Sequence, residues 1–431
     1  MATARRIMQE QDLWSPNQQM GLRWPIGCVA LEITQRCNLD CTLCYLSEYS
    51  EAVHDIPLQE VFKRIDLVHR YYGDNTDIQV TGGDPTLRDR DELVAIIRYI
   101  RGKNMRSTLM TNGIRATRSL LRELVCAGLN DVAFHVDTTQ QRKGFKTEND
   151  LNRIRQEYIR RARGLGLSVI FNTTIHRDNF GELPGLVAFF LRHARYIRTV
   201  SFQLQADTGR GVAGKRDEII TIDTVWDAIE KSAGTAINPR AIRTGHPRCN
   251  RYGMVAVSNN RAFNLFDDEI FTGRMQQATK DIVADRNRPF RTIGQVMRWS
   301  VSNPGNMLTI GYWIGKQVRM MARDLILDRG RVTTLSFFVH NFMDACNLDQ
   351  DRINACVFKN MTPEGPVSMC EYNARRDDYI LQPVPVKKEN VIRFWNPLDK
   401  QYSHKPVPIT DRSKIRLEKK RLKGRARLNA G

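Results

Sequence analysis

Cys28-Val-Ala-Leu-Glu-Ile-Thr34 runs into Gln35-Arg-Cys37-Asn-Leu-Asp-Cys41-Thr-Leu-Cys44-Tyr45, a β-rich segment opening directly onto a loop with three cysteines. The first seven residues, rich in Val, Ile and Thr, read as a strand. Cys37, Cys41 and Cys44 have three and then two residues between them. Thiolates select iron–sulfur clusters, and ordinary cluster sites use four of them. No fourth cysteine stands at a matching distance, so three corners of a cubane cluster would be held and one iron left open. A structural site closes its coordination shell, whereas a reactive one keeps a position for substrate. The competing readings are a zinc site, a redox pair and packed free thiols. Zinc wants a fourth nearby ligand, and packed thiols need neither this spacing nor the aromatic Tyr45 after it.

From Trp24 to about Gln205, short β-rich runs alternate with helical patterns, the mark of repeated βα units and a parallel sheet. Residues 58–71 place Val61, Ile65, Val68 and Tyr72 at helical spacing. Further strands are expected at Asp77-Ile-Gln-Val-Thr81, Ser107-Thr-Leu-Met-Thr111, Asp131-Val-Ala-Phe-His-Val136, Ser168-Val-Ile-Phe-Asn-Thr-Thr-Ile175 and Thr199-Val-Ser-Phe-Gln-Leu204, with helices at 93–100 and 120–127. Six units are too few to close an eight-stranded barrel. The fold class predicted is α/β, a partial (β/α)6 TIM-like barrel with its active site at the C-terminal ends of the strands, plus a C-terminal metal-binding α+β domain. The expected boundaries are an N-terminal segment 1–23, the barrel 24–208, a Gly/Arg-rich connector and helix 209–235, the metal-binding domain 236–385 and a basic tail 386–431. Residues beyond Lys387 read as peripheral.

Thr81-Gly-Gly-Asp-Pro-Thr86 follows the second strand, and its two glycines allow close backbone approach and unusual dihedrals. Met110-Thr-Asn-Gly113 ends the third strand. Strand alternation puts Asn172 and Thr174 on one face. Asp137 ends the fourth strand, where a turn or cap role competes with a binding one. His135 reads as packed or hydrogen-bonded, and Gln203 and Gln205 as candidates for the barrel mouth.

The three-cysteine spacing with its trailing aromatic resembles the signature of the radical S-adenosylmethionine (SAM) superfamily, and Gly82-Gly-Asp-Pro85 resembles the Gly-Gly-Glu-Pro motif found there one βα unit later. The resemblance implies a 4Fe–4S cluster on Cys37, Cys41 and Cys44 with SAM chelating the open iron. It implies SAM contacts from Gly82, Gly83, Asp84, Pro85, Asp137, Asn172 and Thr174, with the shorter Asp84 standing where the family has Glu. Reductive cleavage of SAM to a 5′-deoxyadenosyl radical, hydrogen abstraction from an unactivated carbon, and ferredoxin or flavodoxin as electron donor follow as expectations.

Cys249, Cys346, Cys356 and Cys370 lie in the second region. Four thiolates can close a second 4Fe–4S cluster, with structural zinc or unpaired core cysteines as alternatives and His246 as a substitute ligand. Cys28 and Cys126 read as packing residues. His246-Pro-Arg-Cys249, Phe342-Met-Asp-Ala-Cys346, Cys356 and Ser368-Met-Cys370 resemble the C-terminal pattern of the archaeal tetraether lipid synthase-like branch, whose members have also gone by the name of pterin methyltransferases.

Hydrophobic content of 41% with 26% charged residues is ordinary for a globular chain. No apolar run of about 18 residues suggests a membrane-spanning helix, and the first residues carry no apolar core of a secretion signal. Nine cysteines without an evident disulfide framework suit a reducing compartment, so a cytoplasmic location is expected. The net charge of +19 asks for an acidic partner, and residues 412–427 concentrate part of it. Between Asn306 and Asp328, apolar residues at helical spacing mix with Lys316, Arg319 and Arg323, a pattern that fits either an ordinary core-packed helix or peripheral contact with an anionic membrane. A lipid or membrane-associated substrate is therefore expected first. RNA-modifying and peptide-maturing activities are the alternatives, and nucleic acid is disfavoured by the scarcity of aromatics in the tail. A non-catalytic iron–sulfur or zinc module is the remaining reading.

Overall fold

The computed structural model describes residues 27–211, 214–242, 244–282, 285, 288–388, 391–409, 412 and 415. The expectations for segment 1–23 and for the basic block 412–427, residues 412 and 415 apart, lie outside the described residues. The six expected strands form as β1 (Cys28–Thr34), β2 (Asp77–Gly82), β3 (Arg106–Thr111), β4 (Asp131–His135), β5 (Ser168–Ile175) and β6 (Ile197–Leu204). The helices between them are α1 (Leu58–Tyr72), α2 (Arg90–Gly102), α3 (Arg118–Ala127), α4 (Glu148–Ala162) and α5 (Leu183–Arg192). Local chemistry sets their ends. Thr117 caps α3 by accepting from the Leu120 amide at 3.2 Å, and Gly128 ends it in the left-handed region at φ +117°. Thr147 and Asp150 form a capping box on α4.

The second region does not form the separate α+β domain expected over 236–385. Its strands β7 (Asn250–Ser258), β8 (Arg261–Asn264), β9 (Thr333–His340), β10 (Phe358–Thr362) and β11 (Gly365–Ser368) join the same sheet, in the order β11-β10-β1-β2-β3-β4-β5-β6-β9-β7-β8. β10 pairs parallel to β1 and β9 parallel to β6, so the parallel run extends by one strand at each edge. Both edges of a six-stranded sheet carry unpaired backbone groups, and later strands of the same chain satisfy them.

Strand alternation sorts the residues in an unusual direction. Val29, Leu31 and Ile33 of β1, Val132 and Phe134 of β4, and Leu335, Phe337 and Val339 of β9 are buried in the core between sheet and helices. The opposite faces, with Gln79, Thr108, Asn172, Ser201 and Asn360 among them, line one cavity. The sheet therefore curves around a cavity of mixed polar and apolar lining, and aromatic contacts join β9 to β10, the outer strands of its parallel run: the His340 and Phe358 rings stand 4.9 Å apart, and Phe338 and Phe358 5.9 Å.

After β11 the chain is more ordered than a peripheral tail. β12 (Val384–Lys388), β13 (Val391–Trp395) and β14 (Tyr402–Ser403) make a second, antiparallel sheet. Val384, Val386 and Trp395 bury its inner face, with Ile56 packed on it. The helices α6 (Ile222–Ala233), α7 (Glu269–Ala278), α8 (Pro289–Ser302) and α9 (Pro304–Leu327) complete the long elements.

A buried ion pair braces the loop after β4. Arg155 and Glu148, both fully buried, pair on α4, and Arg155 donates to the carbonyl of Val136 at 2.9 Å while Glu148 accepts from the amide of Thr138 at 2.9 Å. Removing one member leaves a buried charge without its partner, at a cost of about 3–5 kcal/mol. Arg155→Met should lower the stability of the fold by that amount in urea denaturation, and a loss under about 1 kcal/mol would show the pair to be dispensable.

Candidate active site

The cysteine loop leaves the C-terminal end of β1 and lies on the end of β2. The amides of Gly83 and Asp84 donate to the carbonyls of Thr34 and Arg36 at 2.9 and 2.8 Å. A Cβ at Gly82, whose φ is +127°, would stand 1.9 Å from the Thr34 carbonyl oxygen, and one at Gly83 would stand 2.0 Å from that of Arg36. Only glycine permits this approach. Tyr45, after the last cysteine, donates its hydroxyl to the Gly82 carbonyl at 2.7 Å. Thr42 donates its amide to the carbonyl of Thr139 at 2.9 Å, so the braced loop after β4 holds the cysteine loop from the other side.

The two carboxylates expected to meet SAM are occupied otherwise. Asp84 is fully buried and accepts from the Thr86 and Asn112 amides at 3.0 and 2.9 Å and from the Thr111 hydroxyl at 2.8 Å, tying the end of β2 to that of β3. Asp137 is fully buried too. It accepts from the Thr139 and Thr174 amides at 3.1 and 2.8 Å, and its Oδ2 stands 2.6 Å from Nε2 of His135. Burial opposes its charge, but His135 and these hydrogen bonds hold its carboxyl well below the usual range, and Asp137 in turn raises His135. Gly82, Gly83, Asp84, Pro85 and Asp137 do not line the cavity; Asn172 and Thr174 do. The first five stand at or just after the ends of β2 and β4, next to the cysteine loop. Gln203 lines the cavity as well, whereas Gln205 turns away to the Gly214 carbonyl at 3.0 Å.

The three thiols are close enough to influence one another, and burial drives them toward the neutral form. Burial pushes Cys37 up to about 11, with Cys44 and Asp84 adding to the rise, and raises Cys41 as well. Such thiols ionise when a metal takes the proton's place. Among the described residues no group of three or more His, Cys, Asp or Glu is arranged around one metal ion. Thiolates on a single zinc stand about 3.8 Å apart. Cluster thiolates instead bind separate irons at separate corners.

Arg210, read from sequence only as part of a connector, is the principal addition. It is buried with its charge beside Cys44, 3.9 Å from Asp40 and 3.6 Å from Glu51. Its Nε and Nη2 are buried without a hydrogen-bond partner. Orphaned cationic donors at a thiolate loop fit a cluster, whose sulfurs accept hydrogen bonds. The flanking glycines were the available signal: a Cβ at Gly209, φ +60°, would stand 2.4 Å from the Tyr45 backbone. Asn112, from the Thr-Asn-Gly run, donates to Asn38 at 2.6 Å and reaches toward Cys37 at 3.9 Å. Arg376 was also missed. It bonds both oxygens of Glu32 at 2.6 and 2.8 Å, lies 4.7 Å from the Tyr45 ring centre and 4.9 Å from that of Tyr372, and lines the cavity beside Cys44.

Of the second cysteine set, Cys249, Cys356 and Cys370 line one small cavity of about 20 Å³ together with His246. Cys346 is exposed and does not line it. Arg352 donates to the Cys249 sulfur at 3.1 Å, and burial pushes Cys370 up to about 12. Cys28 is buried as expected, but Cys126 is exposed, on the outer side of α3.

Gly83→Ala should unseat the cysteine loop while sparing the barrel. Iron and sulfide bound after anaerobic reconstitution should fall by more than half, with the thermal transition of the apoprotein nearly unchanged; full iron loading would refute the seating role.

Residues 31–190 match the Radical SAM superfamily. Curated relatives include a 7,8-dihydro-6-hydroxymethylpterin dimethyltransferase of Methanocaldococcus jannaschii, 25% identical over 42% of this chain and 36% of that one. An Fe-coproporphyrin III synthase of Methanosarcina barkeri is 30% identical over 42% and 45%. A PqqA peptide cyclase of Xanthomonas axonopodis pv. citri is 29% identical over 40% and 46%. The chain thus spans less than half the length of each of these relatives. Among solved structures, Streptococcus suis SuiB bound to S-adenosylmethionine aligns with a TM-score of 0.37 and 13% identity, over 47% of each chain. The superfamily match thus covers the three-cysteine loop seated at the end of β1 and the strands β1 to β5 that follow from it, so this part of the chain is similar to radical SAM domains.

Proposed function

We propose that this chain cleaves SAM reductively at a cluster held by Cys37, Cys41 and Cys44 and directs hydrogen abstraction from an unactivated carbon of a substrate inside the barrel. The observation carrying this reading is the position of Cys44 and Tyr45 in the wall of a cavity of about 640 Å³. When bound, the cluster supplies one electron to SAM, which divides into methionine and a 5′-deoxyadenosyl radical, with ferredoxin or flavodoxin as the external donor.

The protein's own part is binding, orientation and exclusion of water. Asn172, Thr174 and Gln203 offer hydrogen bonds from one side of the cavity. Glu32 and Arg376 offer paired charges from the other, with the Arg376 guanidinium held by Glu32 and the Tyr45 and Tyr372 rings. Ser201 Oγ, Asn360 Oδ1 and Arg376 Nε belong to cavity-lining residues and are buried without a hydrogen-bond partner. Such atoms are costly unless a ligand or water satisfies them. The portion of the substrate that enters the barrel therefore carries polar groups for these atoms beside apolar surface for the rest of the lining. A lipid or membrane-associated substrate meets this requirement through a polar head group. A peptide is the second reading, favoured by the relatives named PqqA peptide cyclase, whose alignment covers no more than 40% of this chain.

Cys249, Cys356 and Cys370, with His246 in place of the distant Cys346, form our proposed second metal centre. Anaerobic reconstitution of a Cys37/Cys41/Cys44→Ala variant should then retain metal, and a metal-free product would exclude it.

Cys41→Ala should abolish 5′-deoxyadenosine formation from SAM under dithionite, read by chromatography of the quenched reaction. Wild-type yield from that variant would overturn the assignment.

A further inference from the structure

We infer that the α8–α9 hairpin is a docking surface for an anionic lipid bilayer. It is inserted between β8 and β9, outside the barrel. A surface helix normally buries one apolar stripe, yet α8 has no buried residue at all. Phe290, Ile293, Met297 and Val301 instead form a row with spacing three, four and four along its solvent side, with Phe290 86% and Val301 84% exposed. α9 does bury a stripe. Gln317, Met321 and Asp324 are buried, and Met321 packs with Ala256 and Phe263 of the sheet. Its opposite face carries a second apolar row, Leu308, Tyr312 and Ile326, each 78–80% exposed. The ordinary core-packed reading of this helix thus accounts for one face and leaves the other unexplained.

Charge decides the occupant. Residues 288–323 hold six Lys and Arg and no Asp or Glu. Arg291 follows Phe290, Arg298 follows Met297, and Arg319 shares the outer face of α9 with Leu308 and Tyr312. Among the described residues, none of these three arginines forms an ion pair with an acidic side chain. A second copy of the chain would bring like charges face to face, which disfavours self-association here. Apolar rows beside uncompensated cations suit a bilayer interface, where acyl chains take the apolar residues and long arginine stems reach anionic head groups. No helix among the described residues is long and apolar enough to cross a membrane, so the contact is lateral.

The test is co-sedimentation of the full chain with phosphatidylglycerol/phosphatidylcholine vesicles, against vesicles of phosphatidylcholine alone. The expected result is binding to the anionic vesicles that weakens as salt rises. Phe290→Gln with Leu308→Gln should reduce the bound fraction at least tenfold, leaving the thermal transition and 5′-deoxyadenosine formation unchanged. Arg291→Glu with Arg319→Glu should erase the preference for anionic lipid. Wild-type vesicle binding by the Phe290/Leu308 variant would overturn the proposal. So would a wild-type chain that ignores vesicles but forms a dimer, by light scattering, that this variant breaks. Because SAM cleavage is read separately, failure of vesicle binding leaves the active-site assignment standing, and the reverse also holds.

Discussion

The backbone of the β1 exit lies directly on the backbone of the Gly82-Gly83 turn, and the rest of the site depends on that contact. Two amide-to-carbonyl hydrogen bonds fix the separation, and there is no room for a Cβ on either glycine. Because the seat is made by main chain, the thiols are positioned without relying on rotamers of the cysteine loop. Further bonds reinforce the loop from several directions: the side chains of Tyr45 to Gly82 and Asn112 to Asn38, and the backbone amide of Arg210 to the Leu46 carbonyl at 2.8 Å. The amides of Gly83 and Asp84 are committed to this seat, while the carbonyls of the turn keep a second lone pair each.

The barrel departs from the usual layering of a closed parallel barrel, whose interior is packed with branched apolar side chains. Here the apolar core lies between strands and helices, and the inner faces, which mix polar and apolar side chains, enclose a space. That arrangement is stable only because the interior polar groups have partners or a ligand to meet. Arg106 at the base stands 3.6 Å from Asp77 and 3.4 Å from Asp131, and at the mouth Arg376 is held by Glu32. The same chain places much of its exposed apolar surface on the α8–α9 hairpin, outside this chamber.

The strands were readable because half-buried β structure writes its period into the sequence. β1 and β5 fall on the expected residues, and β2, β3, β4 and β6 differ by one or two residues at an end. Asn172 and Thr174 share the cavity face for the same reason. Asp84 and Asp137 were expected near SAM from the family resemblance, with a turn or cap role also open for Asp137. Their burial and their backbone donors come from neighbouring strands, and no local pattern reports them. Cys126 has apolar neighbours at Leu121 and Leu124, but helix rotation turns it to solvent.

Arg210, Arg376 and the second cysteine set show the limit most directly. Arg210 is 166 residues from Cys44 in sequence and beside it in space; Arg376 is 344 residues from Glu32. The sequence by itself determined the cysteine loop, the βα order and the basic, apolar helix near 306–328, because each is written in residue types and spacings a few positions apart. Only the tertiary structure decided that the later strands extend the barrel instead of forming their own domain. It also decided which charges close the cavity and which apolar rows remain outside. Those outcomes rest on edge hydrogen bonds and buried pairs between distant segments, and such interactions exist only once the sheet has curved and brought its edges together.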